Sequence, residues 1–332
     1  MRRTRHSTML APVFLVTIAA RSGFVACTPG EPEPQPIESW AYIIPASFRA
    51  ERIEQRLAQH DMLCLGVYRL NASGRVYAEP SLSKPARALL AKARQGKRTF
   101  PLISLRGPRD GTAMLRDPKS RQAAIDQVAE LIHRKHYDGV HIDFEFLPGE
   151  SAPDYAKFLA ALKSHPQMRQ RTLSIAAFPP LHDTPEAAAF FDLKIIGEPI
   201  DEIVYMTYDY HLRKPGPVTD LAWARQNMEL VLKNGFPAKQ IWLGVPAYGY
   251  AWPDGRPGRP KAISESAGLA QCRQYGCVRH NSGMLKVSRE DRVVYVSDRE
   301  LRRRMANLAY ELNLRGTAMW RVGFEVYAEA LF

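Results

Sequence analysis

The sequence lacks three features that would each point to a different class of protein. The apolar run near its start, from Met9 to Ala20, is too short to cross a bilayer, so no transmembrane helix is predicted. No cluster of His or Cys residues has the spacing of metal ligands, so we expect no metal and no other cofactor. No basic run is interleaved with aromatic residues, so we expect no nucleic-acid partner.

Cysteine is scarce, with four residues in a chain of 332. Cys64 lies in an apolar run and is expected to be a buried, inert thiol. Cys272 and Cys277 are close together in the sequence, and an oxidising compartment would permit a small disulfide between them. The sequence leaves open whether they are bonded.

What is present is the composition of a globular α/β protein. Apolar residues make up 45% of the chain and charged residues 24%. These values suit one large domain or two small ones, and they exclude a disordered or collagenous chain.

Residues 1–26 have the pattern of a secretory signal peptide, with three arginines before the apolar run. The motif Phe24–Cys27 resembles a bacterial lipobox, which would place a lipid on Cys27 and attach the protein to a membrane. Ordinary cleavage nearby is the alternative. Residues 27–37 contain four prolines and are predicted to form an extended spacer. We therefore expect an exported protein of the periplasm or cell envelope, either lipid-anchored or secreted.

The chain is basic, with a formal net charge of +12. Segment 1–26 holds four arginines and no acidic residue, so its removal would leave a net charge of +8. A basic protein outside the cytoplasm is attracted to the acidic polymers of an envelope.

Short apolar runs alternate with amphipathic stretches from residue 38 onward. The pattern predicts helices at 121–135, 152–163, 223–234 and 298–313, and strands at 40–44, 62–70, 99–104, 139–144, 172–177, 202–207, 241–245 and 316–320. Eight strands alternating with helices predict an α/β fold, a (β/α)8 TIM barrel over residues 38–332. A small α+β insertion after strand seven is predicted at about 253–297, with a hairpin formed by 284–288 and 293–297.

The stretch from Tyr137 to Glu145 has an apolar strand pattern with polar side chains at alternate positions. Side chains two apart on a strand share a face, so His141, Asp143 and Glu145 are predicted to point the same way. A soluble protein seldom directs such groups inward without a chemical reason.

Further reactive or aromatic residues lie where later strands end. Tyr208 and Asp209 follow strand six, Tyr248 follows strand seven, and Trp320 ends strand eight. The carboxyl ends of barrel strands meet at one mouth, where active sites lie. An acid, a phenol and large aromatic rings at one mouth indicate a sugar site, because aromatic faces stack on pyranose rings and a carboxylic acid can protonate a glycosidic oxygen.

With these residues, the chain resembles the family 18 glycoside hydrolases, the chitinases and their relatives. The family pattern Asp-Gly-x-x-x-Asp-x-Glu is present as Asp138, Gly139, Asp143 and Glu145. Three later segments resemble the family's motifs on strands six, seven and eight, namely Met206–Asp209, Leu243–Tyr250 and Gly316–Trp320. The segment Ser39–Tyr42 and the last two motifs are most similar to the spore-cortex and cell-envelope branch.

The resemblance implies a glycosidase that cleaves β-1,4 bonds in glycans containing N-acetylglucosamine, by a substrate-assisted retaining mechanism. In that mechanism Glu145 would act as the general acid and then as the base. Asp143 would hold the N–H of the substrate's acetamido group, and Tyr208 would bond the acetamido oxygen. No cofactor is implied, the partner would be the polysaccharide or oligosaccharide substrate, and we expect a monomer.

The resemblance also implies a pocket around these three residues. Trp320 would form the floor under the sugar that is cleaved. Four further candidates for substrate contact in the pocket wall are Asp209, Met206, Tyr248 and Phe178. Asp138 is expected to support its strand rather than touch the substrate.

His141 departs from the family pattern. Many chitinases have Asp at this position, and others of the envelope branch have Asn. A charged His141 would keep Asp143 ionised, whereas a buried neutral imidazole would donate one hydrogen bond. The neutral form is the interpretation we favour.

Three functions remain open at this stage. The first is an enzyme acting on chitin oligomers or on peptidoglycan strands. The second is a carbohydrate-binding protein of low or no activity on the same scaffold, and the third is a structural envelope factor with a vestigial pocket. Hydrolysis by the purified protein would indicate the enzyme, and binding without hydrolysis would indicate the carbohydrate-binding protein. The absence of both would indicate the structural factor.

Overall fold

The computed structural model describes residues 37–78, 82–253 and 258–327. The predicted signal peptide 1–26 and the spacer up to residue 36 lie outside the described residues. Within the described part, no helix is both long and apolar enough to cross a bilayer.

The described residues form fourteen strands. In chain order they are β1 (Glu38–Ile43), β2 (Met62–Leu70), β3 (Val76–Ala78), β4 (Arg98–Leu105), β5 (Gly139–Asp143), β6 (Thr172–Ala177), β7 (Glu202–Tyr205), β8 (Ile241–Pro246), β9 (Tyr248–Pro253), β10 (Lys261–Ser264), β11 (Val278–Arg279), β12 (Leu285–Ser288), β13 (Arg292–Val296) and β14 (Gly316–Trp320).

Ten α-helices lie between these strands in the described part of the chain. They are α1 (Ile53–Ala58), α2 (Lys84–Ala93), α3 (Pro108–Arg116), α4 (Pro118–Lys135), α5 (Ala152–Ser164), α6 (Pro185–Ala189), α7 (Leu193–Ile196), α8 (Leu221–Lys233), α9 (Glu265–Tyr275) and α10 (Arg299–Glu311). Five of the longer helices, α2, α4, α8, α9 and α10, begin at a capping side chain, whereas α5 has none. For example, Asp117 accepts from the backbone N–H of Ser120 at the start of α4, and Asp298 accepts from that of Leu301 at the start of α10.

Eight parallel strands close into a barrel. Their order is β1-β14-β8-β7-β6-β5-β4-β2, and β1 also pairs with β2, which closes the ring. The predicted TIM barrel is therefore confirmed. All eight predicted strands and all four predicted helices are present, with ends that differ from the predictions by three residues or fewer.

The interior of the barrel is filled by alternate residues of its strands. Large side chains from opposite sides meet there, and the ring of Trp40 lies 5.5 Å from that of Phe100 and 5.3 Å from that of Trp242. Cys64 belongs to the same cluster and is fully buried, as predicted. A second and larger apolar layer lies between the strands and the helices.

The amino-terminal end of the barrel is occupied by a buried carboxylate. Glu202 accepts hydrogen bonds from the indole N–H of Trp242 (2.9 Å) and from Arg98 (2.6 Å), and its side chain is 4% exposed. Arg315 approaches the same carboxylate at 3.4 Å. Charge neutralisation by two arginines makes this burial tolerable.

The insertion after the seventh barrel strand contains a five-stranded antiparallel sheet, in the order β10-β9-β13-β12-β11, with helix α9 packed on it. The predicted hairpin corresponds to β12 and β13, with Leu285 opposite Val296. The sheet begins at Tyr248, earlier than the start at about 253 that the sequence predicts. The difference arises because β9 follows β8 after a single residue, so the two strands look continuous in the sequence.

The two cysteines of the insertion are free thiols in this structure. They lie within hydrogen-bonding reach of each other, and burial together with the contact from Cys277 raises the pKa of Cys272 to about 12. A thiol with so high a pKa is a poor nucleophile at neutral pH.

Candidate active site

Asp143 and Glu145 form a hydrogen-bonded carboxyl pair at the carboxyl-terminal end of β5. Asp143 is the last residue of the strand, and Glu145 lies two residues further on. Burial raises the pKa of Asp143 to about 6. Burial, the charge of Asp143 and the hydrogen bond to it raise the pKa of Glu145 well above its usual value. One proton is therefore shared, and it resides on Glu145, which donates to Asp143.

The Oδ1 atom of Asp143 is buried and has no hydrogen-bond partner among the described residues. Leaving a buried carboxylate oxygen unpaired costs about 1–3 kcal/mol or more. Such an atom next to an acidic group is a natural acceptor for an N–H group of a ligand.

His141 lies two residues before Asp143 and is fully buried inside the barrel. Its Nε2 is 2.7 Å from the hydroxyl of Tyr42, and its Nδ1 is 2.9 Å from the hydroxyl of Ser174. Burial lowers the pKa of His141 to about 3, so the ring is neutral. The neutral interpretation is supported, because a neutral imidazole donates one hydrogen bond and accepts the other from these two hydroxyl groups.

Tyr208 is presented by the segment that follows β7. Thr207 holds this segment in place, because its hydroxyl donates to the carbonyl of Gly244 on β8 (2.6 Å) and its carbonyl accepts from the hydroxyl of Thr219 (2.6 Å). Burial raises the pKa of Tyr208, and the charges of Asp143, Asp209 and Glu145 raise it further. The phenol therefore stays protonated and remains a hydrogen-bond donor beside the carboxyl pair.

Asp209 has a left-handed backbone conformation (φ 56°), which directs its carboxylate toward the inserted sheet. Its Oδ1 accepts short hydrogen bonds from the hydroxyls of Tyr248 and Tyr250 on β9. Burial raises the pKa of Asp209, and the two hydroxyl bonds oppose that rise. His182, which is buried after β6, carries an Nε2 atom without a partner among the described residues, and the charge of Asp209 acts on this ring.

Trp320 ends β14 on the inner side of the mouth. Its ring is partly exposed and lies 5.2 Å from the ring of Tyr42 at 61°. Its carbonyl accepts from the backbone N–H of Ala247, which joins β14 to the start of the inserted sheet, and the peptide bond to Arg321 is cis. A partly exposed aromatic ring therefore lies beside Tyr42, whose hydroxyl contacts His141.

Two of the proposed wall residues are enclosed by protein. Met206 is 4% exposed, and its backbone N–H donates to the carbonyl of Ala177 (2.9 Å). Phe178 is 2% exposed and packs on Phe146, His182 and Phe191. A direct contact of Met206 or Phe178 with a ligand stays a prediction.

Asp138 has a structural position, as the sequence indicates. Its Oδ2 accepts from the backbone N–H of Thr99 (2.7 Å) and from the Thr99 hydroxyl (3.2 Å), which ties β5 to β4 at their amino-terminal ends. It therefore does not reach the mouth.

The structure thus brings Asp143, Glu145, Tyr208, Asp209 and Tyr248 into electrostatic contact with one another. Sequence reasoning missed four further polar residues around this group, namely Tyr42, Ser174, His182 and Tyr250. The alternation that places Tyr42 inside the barrel was visible in the sequence, but its contact with His141 was not. Among the described residues, no group of three or more His, Cys, Asp and Glu side chains is arranged to hold a metal ion.

Comparison with known proteins identifies the family of the chain and agrees with the barrel fold. The model of the family described as "Glycosyl hydrolases family 18" matches residues 47–325. The cortical fragment-lytic enzyme of Bacillus subtilis is 26% identical over 228 residues, which are 64% of this chain and 53% of that protein. The chain therefore spans about half of the length of this curated relative.

Two solved structures share the fold. The spore cortex-lytic enzyme SleL of Bacillus megaterium superposes with a TM-score of 0.74 at 22% identity, over 89% of this chain and 72% of that one. A class V chitinase from Pseudomonas fluorescens superposes with a TM-score of 0.76 at 20% identity, over 88% of this chain and 96% of that one. At such identities the likeness concerns the barrel alone.

Proposed function

This chain belongs to glycosyl hydrolase family 18, and from that premise we propose that it hydrolyses β-1,4 bonds in glycans that contain N-acetylglucosamine. The observation that carries the proposal is the buried pair of Asp143 and Glu145, in which one proton is shared and the Oδ1 atom of Asp143 is left without a partner. Chitin oligomers and peptidoglycan strands both offer the acetamido group that this pair would bind.

Glu145 is the general acid in the proposed reaction. Burial and the neighbouring charge keep it protonated near neutral pH, so it can protonate the glycosidic oxygen as the bond to the anomeric carbon breaks. The substrate's own acetamido oxygen attacks the anomeric carbon and forms an oxazolinium ion. Glu145, now ionised, then accepts a proton from the water that opens this ring, and the configuration is retained.

Asp143 and Tyr208 position the acetamido group for that attack. The unpartnered Oδ1 of Asp143 accepts the acetamido N–H, and the ionised carboxylate stabilises the positive charge that develops on the ring. The protonated phenol of Tyr208 donates to the acetamido oxygen and fixes it near the anomeric carbon. Positioning of this kind contributes up to about 7–11 kcal/mol in well-oriented reactions.

The experiment compares the parent with Glu145→Gln, using Glu150→Gln as a matched control because Glu150 is exposed on the following turn. Each protein is given chitin oligomers and peptidoglycan strands, and products are identified by mass and by the anomeric signals in NMR. The parent is expected to release products of retained configuration, and Glu145→Gln to lose about 10²–10⁴-fold in kcat.

A Glu145→Gln protein that keeps a tenth of the parent rate would contradict the proposed acid. Glycan binding by a parent that cleaves neither polymer would instead favour the carbohydrate-binding function. The Glu150→Gln control should behave as the parent does.

Export is the second part of the proposal. It rests on the pattern of residues 1–26 and on Cys27, both of which lie outside the described residues. Fractionation of cells that produce the parent and Cys27→Ser is the test. Lipidation predicts that the parent is found with membranes and the variant in the soluble exported fraction, whereas equal distribution contradicts it.

A further inference from the structure

Arg321 is a half-buried cation at the mouth of the barrel, directly after Trp320. Its guanidinium carbon lies 3.8 Å from the centre of the Phe324 ring. The polar contact of the guanidinium is a long one, from a terminal nitrogen to the hydroxyl of Ser47 at 3.5 Å. Most of its five N–H groups therefore remain available.

No carboxylate of the described residues forms an ion pair with Arg321. Glu325 is the acidic residue whose charge acts on it, but that carboxylate is paired with Arg56 and accepts from the backbone N–H of Gly323 (2.8 Å). Burial lowers the pKa of Arg321, and the charge of Glu325 opposes that effect. A half-buried cation without an anionic partner costs stability, and a ligand that supplies the anion would offset that cost.

The position of Arg321 connects it with the site of reaction. The Phe324 ring that it covers lies 6.0 Å from the ring of Tyr248, whose hydroxyl donates to Asp209. On the other side, Trp320 is the aromatic platform of the mouth. An anion bound by Arg321 would thus belong to the same ligand that occupies the carboxyl pair.

We propose that Arg321 selects an acidic glycan by binding the carboxylate of a 3-O-lactyl group on an N-acetylated amino sugar. The inference rests on the proposed function and narrows its substrate class to peptidoglycan strands. Chitin carries no charged group that could pair with this arginine. A planar guanidinium matches a carboxylate in a two-point contact, and the net charge of +8 that remains after removal of segment 1–26 favours approach of an acidic polymer.

The proposal also implies that another enzymatic reaction must come before this one. In intact peptidoglycan the lactyl carboxyl is bonded to a peptide as an amide, and an amide carries no charge. An amidase that removes the peptide must therefore act first and supply the peptide-free strand.

The test uses the full chain as parent, Arg321→Gln, Arg321→Lys and Arg169→Gln. Arg169 is exposed just before β6, at the opposite end of the barrel, so its substitution removes the same charge away from the mouth. The substrates are peptide-free strands, the same strands with their carboxylates converted to neutral methylamides, and chitin oligomers. Steady-state kcat and KM are measured for each, and thermal melting confirms folding.

The parent should prefer the acidic strands over the methylamide strands. In Arg321→Gln that preference should fall by about tenfold, mainly through KM, because a partly solvated charge-assisted hydrogen bond is lost. Arg321→Lys should recover part of the preference, and Arg169→Gln should keep the parent value. Equal use of both strands by the parent, or an unchanged preference in Arg321→Gln, would overturn the proposal.

A binding measurement separates this outcome from a failure of the proposed enzyme. If the parent cleaves none of the three substrates, the proposed function fails, and dissociation constants for the same strands still test Arg321. If Arg321→Gln does not fold, equal use of the acidic and the methylamide strands by the parent still overturns the proposal.

Discussion

At the scale of single residues, His141 is neutral, so Asp143 shares its proton with another group. The imidazole is held between two hydroxyl groups and has a pKa of about 3, so it carries no charge that could act on its neighbour near neutral pH. Asp143 therefore titrates with Glu145 alone, and the pair behaves as one unit.

Tyr42→Phe tests the support of His141. The substitution leaves Nε2 of His141 buried without a partner, so the free energy of unfolding should fall by about 1–3 kcal/mol. Tyr155→Phe is the matched control, because the Tyr155 hydroxyl is equally buried but already lacks a partner among the described residues. Urea denaturation measures both variants. An equal loss of stability in the two would contradict the assigned role of the Tyr42 hydroxyl.

The pH dependence of kcat/KM follows from the shared proton. Below about pH 6 both carboxyls are protonated and Asp143 loses the charge that the proposed mechanism requires, so activity should fall. Above the raised pKa of Glu145 both carboxyls are ionised and no acid remains, so activity should fall again. The expected profile is a bell whose acid limb lies near pH 6.

Asp143→Asn tests the assignment of the alkaline limb of the pH profile to Glu145. The charge of Asp143 is the second cause, after burial, of the raised pKa of Glu145. Its removal should lower that pKa and move the alkaline limb of the residual activity to lower pH. An alkaline limb that stays in place would show that another group limits the reaction.

The site could be predicted from the sequence only where its residues lie at short spacing on one strand or at a strand end. Asp143, Glu145 and Tyr208 meet that condition. Tyr42 does not, because it is 99 residues away from the histidine that it contacts. Tyr250 was missed because its bond to Asp209 depends on the left-handed turn at Asp209, which no local pattern indicates.

At the scale of elements, two of the buried polar clusters that fix the inserted sheet to the barrel involve acidic side chains. One is Asp209 with the two tyrosines of β9. The other is Glu265 at the start of α9, which pairs with Arg302 of α10 at 3.0 Å and accepts from the backbone N–H of Val326 (2.6 Å). Helix α10 belongs to the barrel, so these contacts hold the wall of the mouth in one position.

Glu265→Ala should lower the free energy of unfolding by about 3–5 kcal/mol, because it leaves the buried Arg302 without its counter-ion. The two side chains are 3% and 4% exposed. Glu300→Ala on the same helix pair is the control, since Glu300 is 44% exposed and its ion pair with Arg303 contributes about 1 kcal/mol or less. Thermal and urea denaturation measure the loss of stability in both variants. Similar losses in both variants would mean that the Glu265 pair is not an attachment point.

The elements themselves were largely predictable. The eight barrel strands are apolar runs separated by amphipathic helices, and that pattern alone indicates the closed barrel. The strands that were missed are short or continuous with others. Strand β3 has three residues and β11 has two, and their pairing is determined by partners that a local pattern does not reveal.

At the scale of the whole molecule, the two ends of the barrel differ in whether their buried acidic side chains are paired with arginines. At the amino-terminal end, Glu202 is neutralised by Arg98 and Arg315. At the mouth, no arginine or lysine of the described residues forms an ion pair with Asp143, Glu145 or Asp209, and burial raises the pKa of each. The mouth therefore lowers the stability of the fold at neutral pH, as is common for a site arranged for chemistry.

Glu145→Gln should stabilise the protein, and increasingly so as the pH rises. Because burial raises the pKa of Glu145 in the folded state, folding favours the protonated acid. At about pH 4 both states hold the proton and the parent and variant should differ little, whereas above the raised pKa only the parent must bury a charge. Urea denaturation at about pH 4 and pH 8 measures the difference, with Glu150→Gln as the exposed control. A stabilisation that is constant or shrinks with pH would mean that the folded protein holds Glu145 as an ion, which a general acid cannot be.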